Sequence, residues 1–257
     1  MPQGTGHREN PVEMKALVFA AGLGTRLKPI TDTIPKALVN VGGRPLLWHV
    51  FRKLQSAGIS DITVNVHHFA DKVIEYLDSN PIPGLTVHIS DERDLLRETG
   101  GGVRHARPFL EGSPFIIHNV DILSDLDISH FAGLADPSAL SNILVSERKT
   151  ARYFLFDEGM DLVGWTNVQT GEVRTPYPDL DLSRCRRLAF AGFHYVTGDI
   201  FDVFDSGGWP ERFPIVDFYI RECARHRIHG VCVDGLRMMD VGKLDSLREA
   251  EEFIGTL

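Results

Sequence analysis

Cysteine is scarce in this 257-residue chain: Cys185, Cys223 and Cys232 are odd in number and form no C-x-x-C pair. That argues against a disulfide framework and a structural zinc site, and fits a reducing cytoplasm. Long apolar runs are missing too. No segment approaches the ~18–20 residues that cross a bilayer, so no membrane span is expected. The opening MPQGTGHRENPVE has neither the apolar core nor the small-residue cleavage site of a secretory leader. Positive charge is in the minority, with 27 Lys and Arg against 35 Asp and Glu and a formal net charge of −8. Nucleic acid is therefore disfavoured as a partner, because phosphate-backbone binding leaves a basic footprint. A local cluster of Arg and Lys can still hold a small phosphorylated molecule.

What is present is the material of an ordinary globular core, 43% hydrophobic and 24% charged. Residues 1–13 read as a flexible polar tail and 14–257 as a single domain. Short β-branched runs alternate with stretches of helical period. Lys15–Ala20, Ile62–Val66, Leu85–Ser90 and Phe115–Asn119 read as strands. Ala70–Leu77 reads as a helix, as does Pro45–Ala57, whose Leu46, Leu47, Val50, Phe51 and Leu54 fall on one stripe. Trp48 is assigned to the core, as are Cys223 and Cys232. Beyond residue 145 the pattern changes to hairpin-like segments, Tyr153–Asp157 and Leu162–Asn167. Leu188–Val196 then reads as a strand, Val216–His226 as a helix, Ile228–Val233 as a strand and Lys243–Phe253 as a terminal helix. The predicted fold is α/β: a Rossmann-like, mixed but mostly parallel sheet flanked by helices, a three-layer sandwich with a small β-rich insertion. Such a sheet binds ligands at the carboxyl ends of its strands.

At the end of the first predicted strand stands AAGLGTRLKPITDTIPKAL, residues 20–38. Glycines there expose backbone amides that can form a nest for phosphate, and Arg26 and Lys36 bring fixed positive charge. The spacing is neither the dinucleotide-binding G-x-G-x-x-G, because residue 27 is Leu, nor the P-loop. Two acidic candidates lie elsewhere: Asp121, closing the run Phe115–Asn119, and Asp240 in Met-Asp-Val-Gly. His67-His68 lacks a third ligand at a useful spacing and is assigned to packing or loop capping.

These segments resemble the signature of the sugar-1-phosphate nucleotidyltransferases, A-A-G-x-G-x-R followed by T-x-x-x-P-K-x-L, which residues 20–26 and 31–38 match position by position. The resemblance implies that the backbone of Ala20, Ala21, Gly22, Gly24 and Thr25 cradles the nucleotide phosphates. It implies that Arg26 and Lys36 act in catalysis by neutralising a nucleoside triphosphate, and that Asp121 and Asp240 jointly hold Mg²⁺. Glu98-Thr99-Gly100-Gly101-Gly102 is similar to a segment lying beside the base. It is closest to the form found in uridylyltransferases acting on N-acetylmuramic acid 1-phosphate and in guanylyltransferase-like relatives. Glu98, Thr99, Gly100 and Gly101 are accordingly expected at the nucleotide, and Gly192, in Phe-Ala-Gly-Phe-His, at the sugar. The implied activity joins a nucleoside triphosphate to a sugar 1-phosphate and releases pyrophosphate, with UTP or GTP as donor.

One departure stands out. Many members carry a Glu-Lys pair whose lysine grips the sugar phosphate, and no such pair occurs between Leu162 and Leu188. Arg174, Arg184, Arg186 and Arg187 are substitutes among which the sequence does not choose. Two rival functions are weaker. A dinucleotide-dependent oxidoreductase is disfavoured by the missing third glycine, and a non-catalytic sugar-nucleotide sensor by the presence of all four charged site residues. Base, sugar and oligomeric state are left open.

Overall fold

The computed structural model describes residues 13–257, so all but Glu13 of the predicted tail lies outside the described residues. In chain order the first half runs β1 (Lys15–Phe19), β2 (Asn40–Val41), β3 (Arg44–Pro45), α1 (Leu46–Ser56), β4 (Asp61–Val66), α2 (Ala70–Ser79), β5 (Thr86–Asp91), α3 (Glu98–His105), α4 (Arg107–Leu110), β6 (Phe115–Asn119), β7 (Ile122–Ser124) and α5 (Ile128–Leu134). The second half runs β8 (Ser141–Ser146), β9 (Arg152–Phe156), β10 (Leu162–Asn167), β11 (Glu172–Arg174), β12 (Arg186–Val196), α6 (Ile200–Ser206), α7 (Ile215–Glu222), β13 (Ile228–Cys232), β14 (Met238–Asp240) and α8 (Asp245–Ile254).

The main sheet has the order β11-β10-β9-β12-β6-β1-β4-β5, with β8 joined to β12 and β13 off this path. Its centre, β6-β1-β4-β5, is parallel, while β12 runs antiparallel to β6, β8 and β9. The β9–β10–β11 meander is the predicted insertion. Three layers follow from the period of the strands. Along β1, Ala16 and Val18 join one apolar cluster with Leu47 and Leu54 of α1, whereas Leu17 joins a second with Val103 of α3 and Phe218 of α7. A strand apolar on both faces requires helices on both faces.

Three sequence expectations are corrected. Trp48 is only half-buried, because its helical angle sets it off the stripe of Leu46, Leu47, Val50, Phe51 and Leu54; it lies between the Arg44 and Arg52 guanidiniums, 5.3 and 6.0 Å from its ring centroid. Cys223 is buried, but Cys232, on β13 at the margin of the sheet, is exposed. The helix expected over 216–226 is the shorter α7. His67 does cap a loop, its Nδ1 donating to the Glu92 carbonyl at 2.7 Å.

Candidate active site

β1, β4 and β6 end side by side, because β1 is in parallel register with both neighbours, Phe19 facing Asn65 on one side and Asn119 on the other. Past these ends the chain must leave the sheet, and a cavity of about 560 Å³ opens there, lined by Ala20 to Arg26, Lys36, Asn65, Asp121 and Gly242 among others. A larger hollow of about 660 Å³, between the β9–β10 turn and residues 177–185, is lined by Asp157, Glu158, Asp179 and Asp181 and receives no ends of the parallel strands.

The loop after β1 is held rather than floppy. Ala20 and Ala21 donate their amides to Asn65 Oδ1, at 2.7 and 3.2 Å, so these two residues anchor the loop and do not offer free amides to phosphate, a correction to their expected role. The amides of Gly22, Leu23, Gly24 and Thr25 have no acceptor among the described residues. A Cβ on Gly22 would meet nothing within 4 Å, which leaves room for a ligand against the backbone. Gly24 has φ +64°, and a Cβ there would stand 2.8 Å from Thr31 Cγ2. Thr31, buried, closes this turn by donating its hydroxyl to the Gly24 carbonyl at 2.8 Å.

Lys36 is 9% exposed, and its ammonium pairs with Asp121. Asp240 reaches the same place through β14, which pairs antiparallel with β7 so that Asp240 faces Ile122. The Val241 amide then donates to the Asp121 carbonyl at 2.8 Å. Asp240 is exposed and does not itself line the cavity, although Gly242, two residues on, does; the protein around it still strips enough water to push its carboxyl above the ordinary range. The charge of Asp121 adds to this, and Lys36, Arg26 and Arg148 pull the other way. Arg26 is exposed, has no ion-pair partner among the described residues, and presses its guanidinium against Gly242, where a Cβ would lie 2.8 Å from Nη2 and 2.5 Å from Asp240 Oδ1. Glycine at 242 leaves the space in which the two opposite charges converge over its backbone.

The donor set suits Mg²⁺. Two carboxylates whose charges oppose each other stand beside a cavity, and no group of three or more His, Cys, Asp or Glu side chains forms a denser cage among the described residues. Mg²⁺ takes one or two carboxylates and completes its shell with water and substrate phosphate.

The glycine run is corrected more sharply. Residues 98–102 form the first turns of α3, where glycine is intrinsically unfavourable. Tertiary contact explains it. A Cβ on Gly100 would lie 2.3 Å from the Phe213 ring and one on Gly101 2.2 Å from the Glu211 carbonyl oxygen, and both amides donate to the Phe213 carbonyl. Neither glycine lines the cavity; Glu98 and Thr99 do. Glu98 holds φ +60° and pairs with Arg212 at 2.9 Å, while Thr99 Oγ1 accepts from the Ile215 amide. Gly101→Ala is expected to cost about 1–3 kcal/mol through overpacking, seen as a lower denaturation midpoint with little change in nucleotide affinity of the folded fraction. A midpoint equal to the parent's would contradict that packing role. Gly192 is likewise buried away from the cavity: φ is +85°, and a Cβ would meet Ile122 Cγ1 at 2.6 Å. Its smallness serves the contact between β12 and β7 in place of an open sugar face.

Sequence reasoning missed Asn65 and Glu92. Asn65 Nδ2 donates to Glu92 Oε1 at 2.9 Å, and Glu92 Oε2 accepts from the Arg97 amide at 3.1 Å. Burial pushes the Glu92 carboxyl up, against these hydrogen bonds and the charges of His105 and Arg97. The available signal was an amide side chain inside the otherwise apolar strand Ile62–Val66.

An α/β sheet with open amides, two cations and paired carboxylates gathered at its strand ends defines an enzyme of the nucleotide-handling class. The chain belongs to the nucleotidyl transferase family, whose sequence model matches residues 15–154, so the resemblance read from the opening loop is borne out. It is 32% identical over 229 residues to the N-acetylmuramate alpha-1-phosphate uridylyltransferase of Caulobacter vibrioides, covering 87% of this chain and 90% of that one. With the protein of the same description from Neisseria meningitidis it is 30% identical over 250 residues, 94% and 99% of the two chains. Its fold matches HddC from Yersinia pseudotuberculosis complexed with GMP-PN, with a TM-score of 0.74 at 20% identity over 94% of this chain and 99% of that one.

Proposed function

We propose that this chain transfers a uridylyl group from UTP to N-acetylmuramate α-1-phosphate, giving the UDP-sugar and pyrophosphate. The observation that carries the reaction type is the convergence of free amides at 22–25, Arg26, Lys36 and Asp121 on one cavity, with Asp240 close enough to feel the charges of Asp121, Lys36 and Arg26. The choice of base and sugar is supported by the two relatives of that activity, which are matched along nearly their whole length. A guanylyl donor has less support: mannose-1-phosphate guanyltransferases, such as that of Kluyveromyces lactis, align over 122 residues and 34% of their length.

In this reading a phosphate oxygen of the sugar attacks the α-phosphorus in line and pyrophosphate leaves. The chain's task is to orient the reactants and to stabilise negative charge as it develops. The amides at 22–25 receive phosphate oxygens, Arg26 meets the triphosphate over Gly242, and Lys36 places a cation at the reacting centre while pairing with Asp121. Asp121 and Asp240 would hold Mg²⁺, which when bound supplies Lewis-acid stabilisation of the phosphoryl oxygens. Glu98 and Thr99 border the part of the cavity left for the nucleoside. No helix among the described residues is long and apolar enough to span a membrane, and the reaction is assigned to the cytoplasm, where nucleoside triphosphates are made.

Incubating the protein with Mg²⁺, each common triphosphate and a set of sugar 1-phosphates, while following pyrophosphate release, tests the proposal. The fastest release is expected with UTP and N-acetylmuramate 1-phosphate. Release from none of the pairs would favour a non-catalytic binder, and a faster reaction with GTP would reassign the base.

A further inference from the structure

A separate cavity of about 360 Å³ lies between α1, β6, β7 and the end of α8, and it shares no lining residue with the cavity at the strand ends. Its walls carry two polar side chains that the fold leaves without partners. His118 of β6 is fully buried and Ser124 of β7 is 3% exposed, and both line the cavity. His118 Nε2 and Ser124 Oγ have no hydrogen-bond partner among the described residues. Leaving buried polar groups unsatisfied is costly, so two beside one cavity call for an occupant. A single water takes up only about 30 Å³ and leaves most of the space unfilled.

The lining sets the chemistry of that occupant. His118 Nδ1 lies 2.7 Å from the Asn119 carbonyl, an oxygen that only accepts, so Nδ1 carries the proton and Nε2 presents a lone pair. Burial pushes the pKa of this ring down to about 3, which keeps it neutral. The occupant must therefore bring a donor to His118, whereas the Ser124 hydroxyl can take either role. Lys53 of α1 stands beside them. Its ammonium donates to the Ser124 carbonyl at 2.8 Å, keeps two further N–H groups and has no ion-pair partner among the described residues. Burial lowers its pKa, against the charges of Asp125 and Asp127. Asp125 also lines the cavity, but Arg237 holds its carboxylate at 2.7 Å, and the exposed Arg52 adds a second cation to the lining.

We propose that this cavity binds a small phosphorylated polyol, with the phosphate against Lys53 and the hydroxyl groups bonded to His118 and Ser124. Sulfate brings charge to Lys53 but no proton to the His118 lone pair, and an uncharged polyol does the reverse. The volume stands at the lower end of the ~300–1,000 Å³ range of ligand pockets, which suits a molecule of a few carbons. Ile122 lines the same cavity, follows Asp121 and faces Asp240 across β7 and β14, so the occupant rests on the strand that joins the two carboxylates.

Calorimetric titration of the whole chain with sn-glycerol 3-phosphate, sulfate and glycerol tests this. No turnover is involved, so the result is independent of the nucleotidyl-transfer reading. Glycerol 3-phosphate should bind at least about tenfold more tightly than either of the others. Loss of a charge-assisted contact should weaken its binding by roughly 10- to 100-fold in Lys53→Met, and loss of a neutral hydrogen bond by about 3- to 10-fold in Ser124→Ala. Arg26→Ala, which alters only the other cavity, should bind it as the parent does. Ser124→Ala removes a hydroxyl that has no partner, so it should keep the parent's melting temperature and carries the test if Lys53→Met does not fold. A parent that binds none of the three ligands would mean that the cavity holds only water. Affinity unchanged in every folded variant of Lys53 and Ser124 would place the ligand elsewhere, and sulfate bound as tightly as glycerol 3-phosphate would remove the need for hydroxyl groups. Any of these results overturns the proposal.

Discussion

Asp240→Asn is expected to lower turnover by on the order of 10³-fold while leaving thermal stability almost untouched, and Asp121→Asn to lower both. The difference follows from what each carboxylate faces. Asp240 is open to solvent, and its proton is held more tightly than in an unfolded chain because of desolvation and the nearby Asp121. A carboxyl whose folded-state pKa is raised costs stability when it ionises as pH rises, so neutral Asn relieves repulsion and removes no support. Asp121 instead neutralises Lys36, whose side chain is only 10% exposed. Taking away one partner of so enclosed a pair leaves a charge poorly solvated, at a cost of roughly 3 kcal/mol.

In the proposed metal site both variants would lose a hard oxygen ligand, and loss of an electrostatic stabiliser at a transferring phosphoryl group would account for the expected drop in rate. Calorimetric titration of the triphosphate with and without Mg²⁺ supplies the second readout. Coupling between metal and triphosphate should vanish in both variants. Coupling that survives in both would take the two aspartates out of the metal site, and an equal fall in melting temperature in both would refute the contrast drawn between them.

That contrast is invisible in the sequence. The loop from Ala20 to Leu38 was legible because its glycines, threonine and basic residues fall within one short segment, where local spacing carries the meaning. β1, α1, β4, β5 and β6 were legible because apolar period reports burial directly. Asp121 and Asp240 were each legible as candidates, but what joins them, β7 and β14, is a pair of three-residue strands too short to show a period. The Lys36–Asp121 pair depends on where β1 and β6 end in the sheet.

The glycine run misled for a complementary reason. Local propensity argues against helix at Gly100, Gly101 and Gly102, and the helix exists because Phe213, Glu211, Asn65 and Glu92 fill the space where side chains would be. Tertiary packing outweighs about 1 kcal/mol per glycine of helix preference. Gly192 belongs to the same case. The resemblance placed it at the sugar, whereas Ile122 fills the space over it.

Asn65→Leu is expected to be the most damaging single change to the scaffold, although Asn65 touches none of the four charged residues. Its carboxamide oxygen takes two loop amides and its nitrogen supports Glu92, and the residue is 3% exposed. Leucine of similar size fills the space but leaves two N–H groups and one carboxylate oxygen short of a partner. At about 1–3 kcal/mol for each buried group left unsatisfied, the three together reach roughly 3–9 kcal/mol, and the loop carrying Gly22 to Arg26 loses its anchor. Turnover of the folded fraction should therefore fall as well.

The pH dependence of this loss has a definite sign. Glu92 in the folded protein holds its proton above the ordinary carboxylate range because burial outweighs its hydrogen bonds. Folded-state stability accordingly declines as pH climbs from that ordinary range through the raised value. Removing the Asn65 donor raises the folded value further and widens the window. The difference in melting temperature between parent and Asn65→Leu should thus be larger at pH 8 than at pH 5. Glu92→Gln, which keeps an oxygen for Asn65 and cannot ionise, should flatten this part of the parent's stability profile. A difference that is the same at both pH values, or a Gln variant with the parent's slope, would show that Glu92 is not the titrating partner and that Asn65 acts on the loop alone.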